Sequence, residues 1–540
     1  MKIKRIGVAA IALAAAGVLV LTGCTSGSPE ATDGASTSAV ITTNGSEPQN
    51  PLVPTNTNEV GGGKILDSIF AGLVYYDAEG APHNDVAESI ETTDAQNYTI
   101  KIRPGLKFTN GEDVTANSFV DAWNYGANTA NGPQLSQYFF ESIKGFSYDD
   151  EVAELPGLVV VDDTTFTVEL NQPESDFPLR LGYSAFYPLP ASAFDDIDAF
   201  GENPIGNGPY MLDGEGAWKH NEKIDLVVNP DYDGPRTAQN GGLDIVFYAT
   251  QDAAYADLQG GNLDVLDAIP DGALSTFQDE FGDRSVTQAA AIFQSFTIPD
   301  RLAHFSGEEG KLRRAAISKA IDRDEITDVI FSGTRTPAKD FTSPVIDGYS
   351  EDIPGADVLD FDADAAKDLW AQADAISPWT GTFQIAYNAD GGHQAWVDAV
   401  SNQLKNNLGI DASGAPYPTF AEARTAITDR TIETAFRSGW QADYPALFNF
   451  LGPLYGTGAG SNDGDYSSAE FDALLKEGLA ETDLDTANAT FQKAQEILFT
   501  DLPVIPLWYS TVNGAWSQQV ENVQFGWNSV PLYYEVTKSE

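Results

Sequence analysis

A chain of 540 residues with one cysteine, Cys24, can close no disulfide within itself, so its fold must rest on a buried apolar core. At this length a large core is attainable, and length alone suggests about three domains. The charge is lopsided: 80 Asp and Glu face 29 Lys and Arg, a formal net charge of −51. Such a surface repels nucleic acid and bare anionic lipid. It favours cationic ligands, and equally serves solubility outside the cell or adaptation to salt.

The amino terminus reads as an export signal. Lys2, Lys4 and Arg5 precede an apolar run from Ile6 to Leu21, which ends in Leu21-Thr22-Gly23-Cys24. The run is shorter than the roughly 18 to 20 residues that span a bilayer comfortably, and no later stretch is as long and apolar. The tetrapeptide resembles the bacterial lipobox, whose cysteine is acylated and becomes the first residue of the mature chain; an ordinary signal with an incidental cysteine is the alternative. Several acyl chains would anchor stably where one would be marginal. Removing residues 1–23 takes the charge to about −54. Residues 24–39 then read as the lipidated Cys24 and a flexible tether, rich in Ser, Thr, Gly, Ala and Pro, with an r.m.s. span of about 20 Å.

Beyond the tether the periodicity is mixed. Alternation marks strands at Tyr98–Ile102 and Thr165–Leu170, and Asp244–Tyr248 looks like a buried strand. Helical spacing appears in Leu312, Ala315, Ala316, Lys319 and Ala320, in Trp396, Val400, Leu404 and Leu408, and in Phe471, Leu474, Leu475 and Leu479. Asn110-Gly111 is a turn dipeptide before a helix that Thr115 is suited to cap. Gly206 and Gly208 flank a tight backbone approach before Pro209.

A series of local patterns gives a more specific reading. Asn44–Gln49, Phe70–Val74, Tyr98–Ala116, Asn203–Tyr210, Asn229–Tyr232, Leu258–Asp264 and Leu312–Arg323 follow one another in the order of the solute-binding family that includes the oligopeptide- and dipeptide-binding proteins. The chain resembles that family, extracellular solute-binding protein family 5, over roughly residues 44 to 510. The resemblance implies an α/β, periplasmic-binding-protein-like fold, with two lobes around a ligand cleft, hinge crossovers and an extra α/β domain inserted in the first lobe. By that pattern residues 40–70, 205–294 and 506–540 form lobe I, 71–204 the extra domain and 295–505 lobe II. It further implies a monomeric lipoprotein on the extracytoplasmic face of a bacterial membrane. Such a protein hands a peptide to the permease of an ABC importer and is not an enzyme.

The segment Arg437-Ser438-Gly439-Trp440-Gln441-Ala442-Asp443-Tyr444 resembles the one in which an aspartate of oligopeptide binders holds the ligand's α-ammonium, and Asp443 stands at that position. A closed cleft excludes water and strengthens the attraction between carboxylate and ammonium. Capping a turn before Pro445 is the plainer reading of Asp443. Family members let the peptide lie as an added strand, here against Gly439 and Gln441 and against Thr57, Asn58 and Glu59. Arg437 and His393 resemble the groups that receive peptide carboxylates; Arg suits this through its planar fork, and a histidine before a helix is as readily a cap. Tyr417, Trp440 and Trp508 look like pocket-wall aromatics, a spacing that equally builds core. Direct succession of Pro445–Phe448 after Tyr444 departs from the longer polar turn of oligopeptide binders, and the loop from Gly456 to Gly464 is long and glycine-rich.

Other chemistry finds little support. Asp362, Asp364 and Asp368 read as a helix cap with an acidic first turn rather than a calcium loop, and Asn462–Asp465 as a turn. His83, His220, His304 and His393 lack metal-ligand spacing, and no cofactor is expected. No nucleophile elbow, Walker loop or dinucleotide fingerprint is present. Two function classes stay open: a transport receptor, whose ligand is a peptide or alternatively an oligosaccharide, nickel chelate or haem, and a secreted hydrolase using a pair of acids.

Overall fold

The structure, a computed structural model, describes residues 35–539 except 37, 133, 390, 391 and 419. Cys24 and the export signal lie outside the described residues. Ala35 and Ser36 pair antiparallel with Ser539 and Lys538, so the span read as a tether includes a short strand at its end. Among the described residues no helix is long and apolar enough to cross a membrane.

Where the sequence alternates, the chain pairs. Asn97–Ile102 turns Tyr98, Ile100 and Ile102 inward and pairs antiparallel with Thr165–Glu169, whose Phe166 and Val168 face the same way. With Ala87–Glu91 and Leu158–Asp162 they form a four-stranded antiparallel sheet. The helix Ala116–Ala127 covers its inner face, laying Phe119 and Trp123 on Phe166 at ring separations of 5.9 and 5.5 Å. That helix begins at Thr115 in a capping box with Ser118, the reciprocal arrangement that satisfies two otherwise orphaned backbone donors. Gly111, at φ +88°, supplies the left-handed turn just before it.

A second, larger sheet organises the rest. Its principal strands are β1 (Val40–Gly45), β2 (Lys223–Val228), β3 (Gly242–Phe247), β4 (Val265–Leu266), β5 (Ser285–Thr297), β6 (Phe383–Asn388), β7 (Ala412–Tyr417), β8 (Ala435–Gln441) and β9 (Val504–Trp516). Their spatial order is β2-β3-β1-β4-β9-β5-β8-β6-β7. The pairs β3·β1, β1·β4, β8·β6 and β6·β7 are parallel, and the pairs around β9 and β5 are antiparallel.

Strands β5 and β9 each run for 13 residues and join two separate cores. One half of the pair, Ser285–Ala289 against Thr511–Ala515, borders the core that holds Ile41, Ile65, Phe70, Trp123, Phe186 and Ile245. The other half, Phe293–Thr297 against Val504–Tyr509, enters the core of Phe296, Ile317, Trp396, Leu404, Phe450 and Leu498. Between the halves the register shifts, from Ala289 to Phe293. This is the two-lobed α/β fold, and the helices that the spacing predicted supply the second core: Gly307–Lys319, Gln394–Leu408 and Ala469–Ala480. Asp362 caps Ala363–Ile376 by accepting from the amides of Asp364 and Ala365, as its spacing implied.

Two glycines admit a close backbone approach beside Ile69 and Phe70 of the first core. A Cβ on Gly206 would stand 1.9 Å from the Ile69 carbonyl oxygen, and one on Gly208 2.6 Å from the Ile69 carbonyl carbon. The Gly208 amide donates to that same oxygen at 2.8 Å. The helix Val60–Ile69 is thereby held by its end, and its other end is capped by Glu59, whose carboxylate accepts from the Gly62 amide at 2.9 Å.

Candidate functional site

Strand β8 carries Arg437, Gly439, Trp440 and Gln441 of the residues singled out in the sequence, Asp443 follows just past its end, and one of its edges is open. On one side it pairs with β5 from Ile292 to Thr297; on the other, pairing with β6 stops at Phe436. The Ala442 amide donates to the Ala291 carbonyl at 2.9 Å, toward β5. Backbone groups alternate sides along a strand, so those of Gly439 and Gln441 turn to the edge that no described strand occupies.

Two cavities lie along this edge. The first, about 390 Å³, is bordered by Thr57, Asn58, Asp67, Tyr183, Gln441 and Asp443. The second, about 450 Å³, is bordered by Asn58, Phe420, Arg437, Gly439, Trp440 and Tyr455. Asn58 belongs to both walls. Thr57 is fully packed, donating to the Val53 carbonyl at 3.0 Å and accepting at its own carbonyl from Ser136 at 3.1 Å.

Asp443 is half-buried at the border of the first cavity. Its carboxylate accepts from the amide nitrogen of the Asn449 side chain at 3.2 Å and from the Tyr138 hydroxyl at 3.3 Å. These donors are side chains from different cores, so Asp443 is not spent on capping a turn; the helix Leu447–Tyr455 starts at Ala446 without a side-chain cap. Asn449, 2 % exposed, is the organiser: its carbonyl oxygen accepts from the Asp443 amide at 2.9 Å and the Trp440 indole at 3.0 Å. Among the described residues no cation pairs with Asp443. Burial pushes its pKa up to about 6 against the pull of Asn449 and Tyr138.

Arg437, six residues earlier, is the converse. It is half-buried, no carboxylate among the described residues pairs with it, and its Nε has no hydrogen-bond partner. Its guanidinium carbon lies 5.9 Å from the centre of the Phe420 ring. Burial lowers its pKa from the ordinary value, which leaves a guanidinium charged at neutral pH. A half-buried guanidinium with an unpartnered Nε at the border of a cavity is suited to receive an anion.

The remaining candidates divide. Trp440 borders the second cavity, its indole pinned by Asn449. His393 precedes the helix Gln394–Leu408 and accepts from the Trp396 indole at 3.1 Å; it borders neither cavity. Tyr417 ends β7 and packs on the small core of Ile427 and Phe436, which border the second cavity, but does not itself border either one. Trp508 is corrected to a core residue: it is 1 % exposed, with its ring edge-on to Trp396 at 5.5 Å and 5.0 Å from Phe331. It lies on β9, where the register with β5 turns it into the second core.

Asn449 and Tyr138 were not among the sequence candidates. Asn449 sits six residues past Asp443 in the helix Leu447–Tyr455, and Tyr138 arrives from 305 residues away, with no local signal for either. Two cations border the first cavity and both are matched. Lys64 is ion-paired with Asp267, both largely buried, and the Arg236 Nε donates to Asp85 at 2.9 Å. Among the described residues no group of three or more His, Cys, Asp or Glu side chains is placed to hold a metal ion.

Comparison with known proteins fits this geometry. The family model described as bacterial extracellular solute-binding proteins, family 5 Middle, matches residues 81–462. The oligopeptide-binding protein OppA of Bacillus subtilis is 26% identical over 482 residues, 85% of each chain. The periplasmic oligopeptide-binding protein OppA of Salmonella typhimurium is 28% identical over 492 residues, 87% of each chain. Among solved structures, the Escherichia coli murein tripeptide binding protein MppA superposes with a TM-score of 0.77 at 20% identity, covering 94% of this chain and 99% of its own. Haemophilus influenzae OppA in complex with the peptide RPPGFSPFR gives 0.74 at 24% identity, covering 94% and 100%. A match across residues 81–462, on a two-lobed α/β frame, places the chain among the bacterial extracellular solute-binding proteins of family 5.

Proposed function

We propose that this protein is the peptide receptor of an ABC importer, a monomer held by a lipid on Cys24 at the extracytoplasmic face of a bacterial membrane. One observation carries the reading: a carboxylate without a cation, Asp443, and a cation without a carboxylate, Arg437, stand at the two ends of an unpaired strand edge. An extended peptide complements all three. Its ammonium meets Asp443, its backbone pairs with Gly439 and Gln441, and its carboxylate meets Arg437 directly or through water. Six residues of strand cover about 20 Å, so an extended peptide of about six residues spans both charges, and a shorter one would reach Arg437 through that residue's long side chain or water.

The family is one of solute-binding proteins, and the relatives compared above carry names of peptide binders. We take the two cores as the lobes that close on the ligand, residues 40–70, 205–294 and 506–540 with the extra domain 71–204 on one side, and 295–505 on the other. The closed form would dock on a permease that a separate ATPase drives. Catalysis has no part in this reading.

Native mass spectrometry of the protein taken directly from cells tests it. Co-purifying masses that fragment as intact peptides are expected. An oligosaccharide, nickel chelate or haem in their place would reassign the ligand, and cleavage of an added peptide would replace the receptor with a hydrolase.

A further inference from the structure

Among the described residues, three carboxylates on the wall of the first cavity have no ion pair: Asp443, Glu59 and Asp67. Asp67 lies on the helix Val60–Ile69 and accepts from the Tyr187 hydroxyl at 2.7 Å. Every other charge on the wall has a task. Glu59 caps the helix, Asp77 accepts from His83 at 2.8 Å, and Lys64 pairs with Asp267. Arg236 lies close to Asp67 but its guanidinium is committed: Nε to Asp85, Nη1 to the Asp67 carbonyl at 2.7 Å and Nη2 to the Phe70 carbonyl at 2.8 Å. Asp67 and Asp443 are what remain.

These two carboxylates face one space. Burial raises the pKa of the Tyr76 and Tyr183 hydroxyls, and the charges of Asp67 and Asp443 add to it, with that of Glu59 on Tyr183. All four residues border the same cavity, and the tyrosines give it aromatic walls that accept a cation. Burial raises the pKa of Asp67 as well, despite Tyr187 and Arg236, so an incoming cation would relieve its desolvation as one at Asp443 would.

We infer that the cavity at the amine end selects ligands whose first residue carries a second positive charge, a lysine-, ornithine- or arginine-like side chain received by Asp67. This rests on the peptide reading of Asp443. With the α-ammonium at Asp443, the first side chain is the part of the ligand that enters this cavity, and a flexible aliphatic stem ending in a cation suits tyrosine walls with a carboxylate beyond them.

Calorimetric titration of the mature protein with Lys-Ala-Ala and with norleucine-Ala-Ala, which keeps the stem and drops the charge, tests the assignment. The lysine peptide is expected to bind at least about tenfold more tightly, and Asp67→Asn to bring that ratio close to one. A wild-type ratio near one overturns the inference while binding of the norleucine peptide leaves the peptide reading standing. Persistence of the ratio in Asp67→Asn overturns the role of Asp67. If neither these tripeptides nor hexapeptides with the same first residues bind the wild type, the peptide reading falls and this inference with it; if only the hexapeptides bind, the same ratio is read from them.

Discussion

Replacing Asp443 by Asn should separate binding from stability in opposite directions. The burial of Asp443 raises its pKa from 3.8 to about 6 in the ligand-free protein, a cost of up to about 3 kcal/mol at a pH well above 6. The side chain is half-buried beside a cavity, and water there reduces that figure. Asn keeps an acceptor for Tyr138 and Asn449, so the variant should melt at the same temperature as the wild type or higher at pH 8. The sign fixes the pH window: the folded-state pKa is raised, so the native state keeps a proton that the unfolded chain gives up between about pH 4 and 6, and the stability this contributes is complete below about pH 4 and lost as pH rises through about 6. Any gain from Asp443→Asn should therefore be seen at pH 8 and vanish by pH 4. Affinity for a free-amine peptide should fall by on the order of 2 to 5 kcal/mol, the range for losing one partner of a buried charge pair. An N-acetylated peptide should bind the wild type as poorly. Calorimetry for affinity and circular dichroism for melting read both effects. Equal affinity of Asp443→Asn and wild type for free-amine peptides, or indifference to acetylation, would refute the assignment of Asp443 as the amine anchor.

Three further outcomes are expected. Affinity for free-amine peptides should drop as pH falls from 7 to 5, by up to about tenfold per unit once Asp443 protonates, and a flat profile would show that the bound ligand does not need the carboxylate ionised. Trp508→Ala should cost about 3 to 5 kcal/mol in urea unfolding, because the indole is buried against Trp396; loss of binding with unchanged stability would return Trp508 to the pocket wall. Gly206→Ala should destabilise by several kcal/mol or prevent folding, since the added methyl would have to displace the Ile69 carbonyl, and an unchanged melting temperature would refute the packing described.

The elements that were legible in the sequence are those whose cause is local. Period-two alternation at Tyr98–Ile102 corresponds to a strand buried on one face, and Thr115 is followed three residues on by the Ser118 that completes its cap. Gly206 could be recognised as a close approach because only a missing side chain explains it, although its partner, Ile69, could not. The candidate site was legible where one short segment carries it: Gln441 and Asp443 border the first cavity, and Arg437, Gly439 and Trp440 the second. It was illegible where distant segments meet. Nothing near Tyr138 or Asp67 marks them as neighbours of Asp443's cavity, because that proximity is made by the packing of helices and loops between the cores. The two tryptophans make the same point. Trp440 and Trp508 carry similar local patterns, and only the pairing of β5 with both β8 and β9 sends one to a cavity and the other inside.

The long pair β5 and β9 gives the protein a mechanical property as well as a shape. Each strand is anchored in both cores, with the change of register falling between them. On the proposed reading, a ligand gripped from both sides would act as a cross-brace between the two cores. Most of that grip would fall on a backbone and two charged ends, so the braced posture would vary little with the side chains aboard. A membrane partner that senses posture would then accept many cargoes through a single act of recognition.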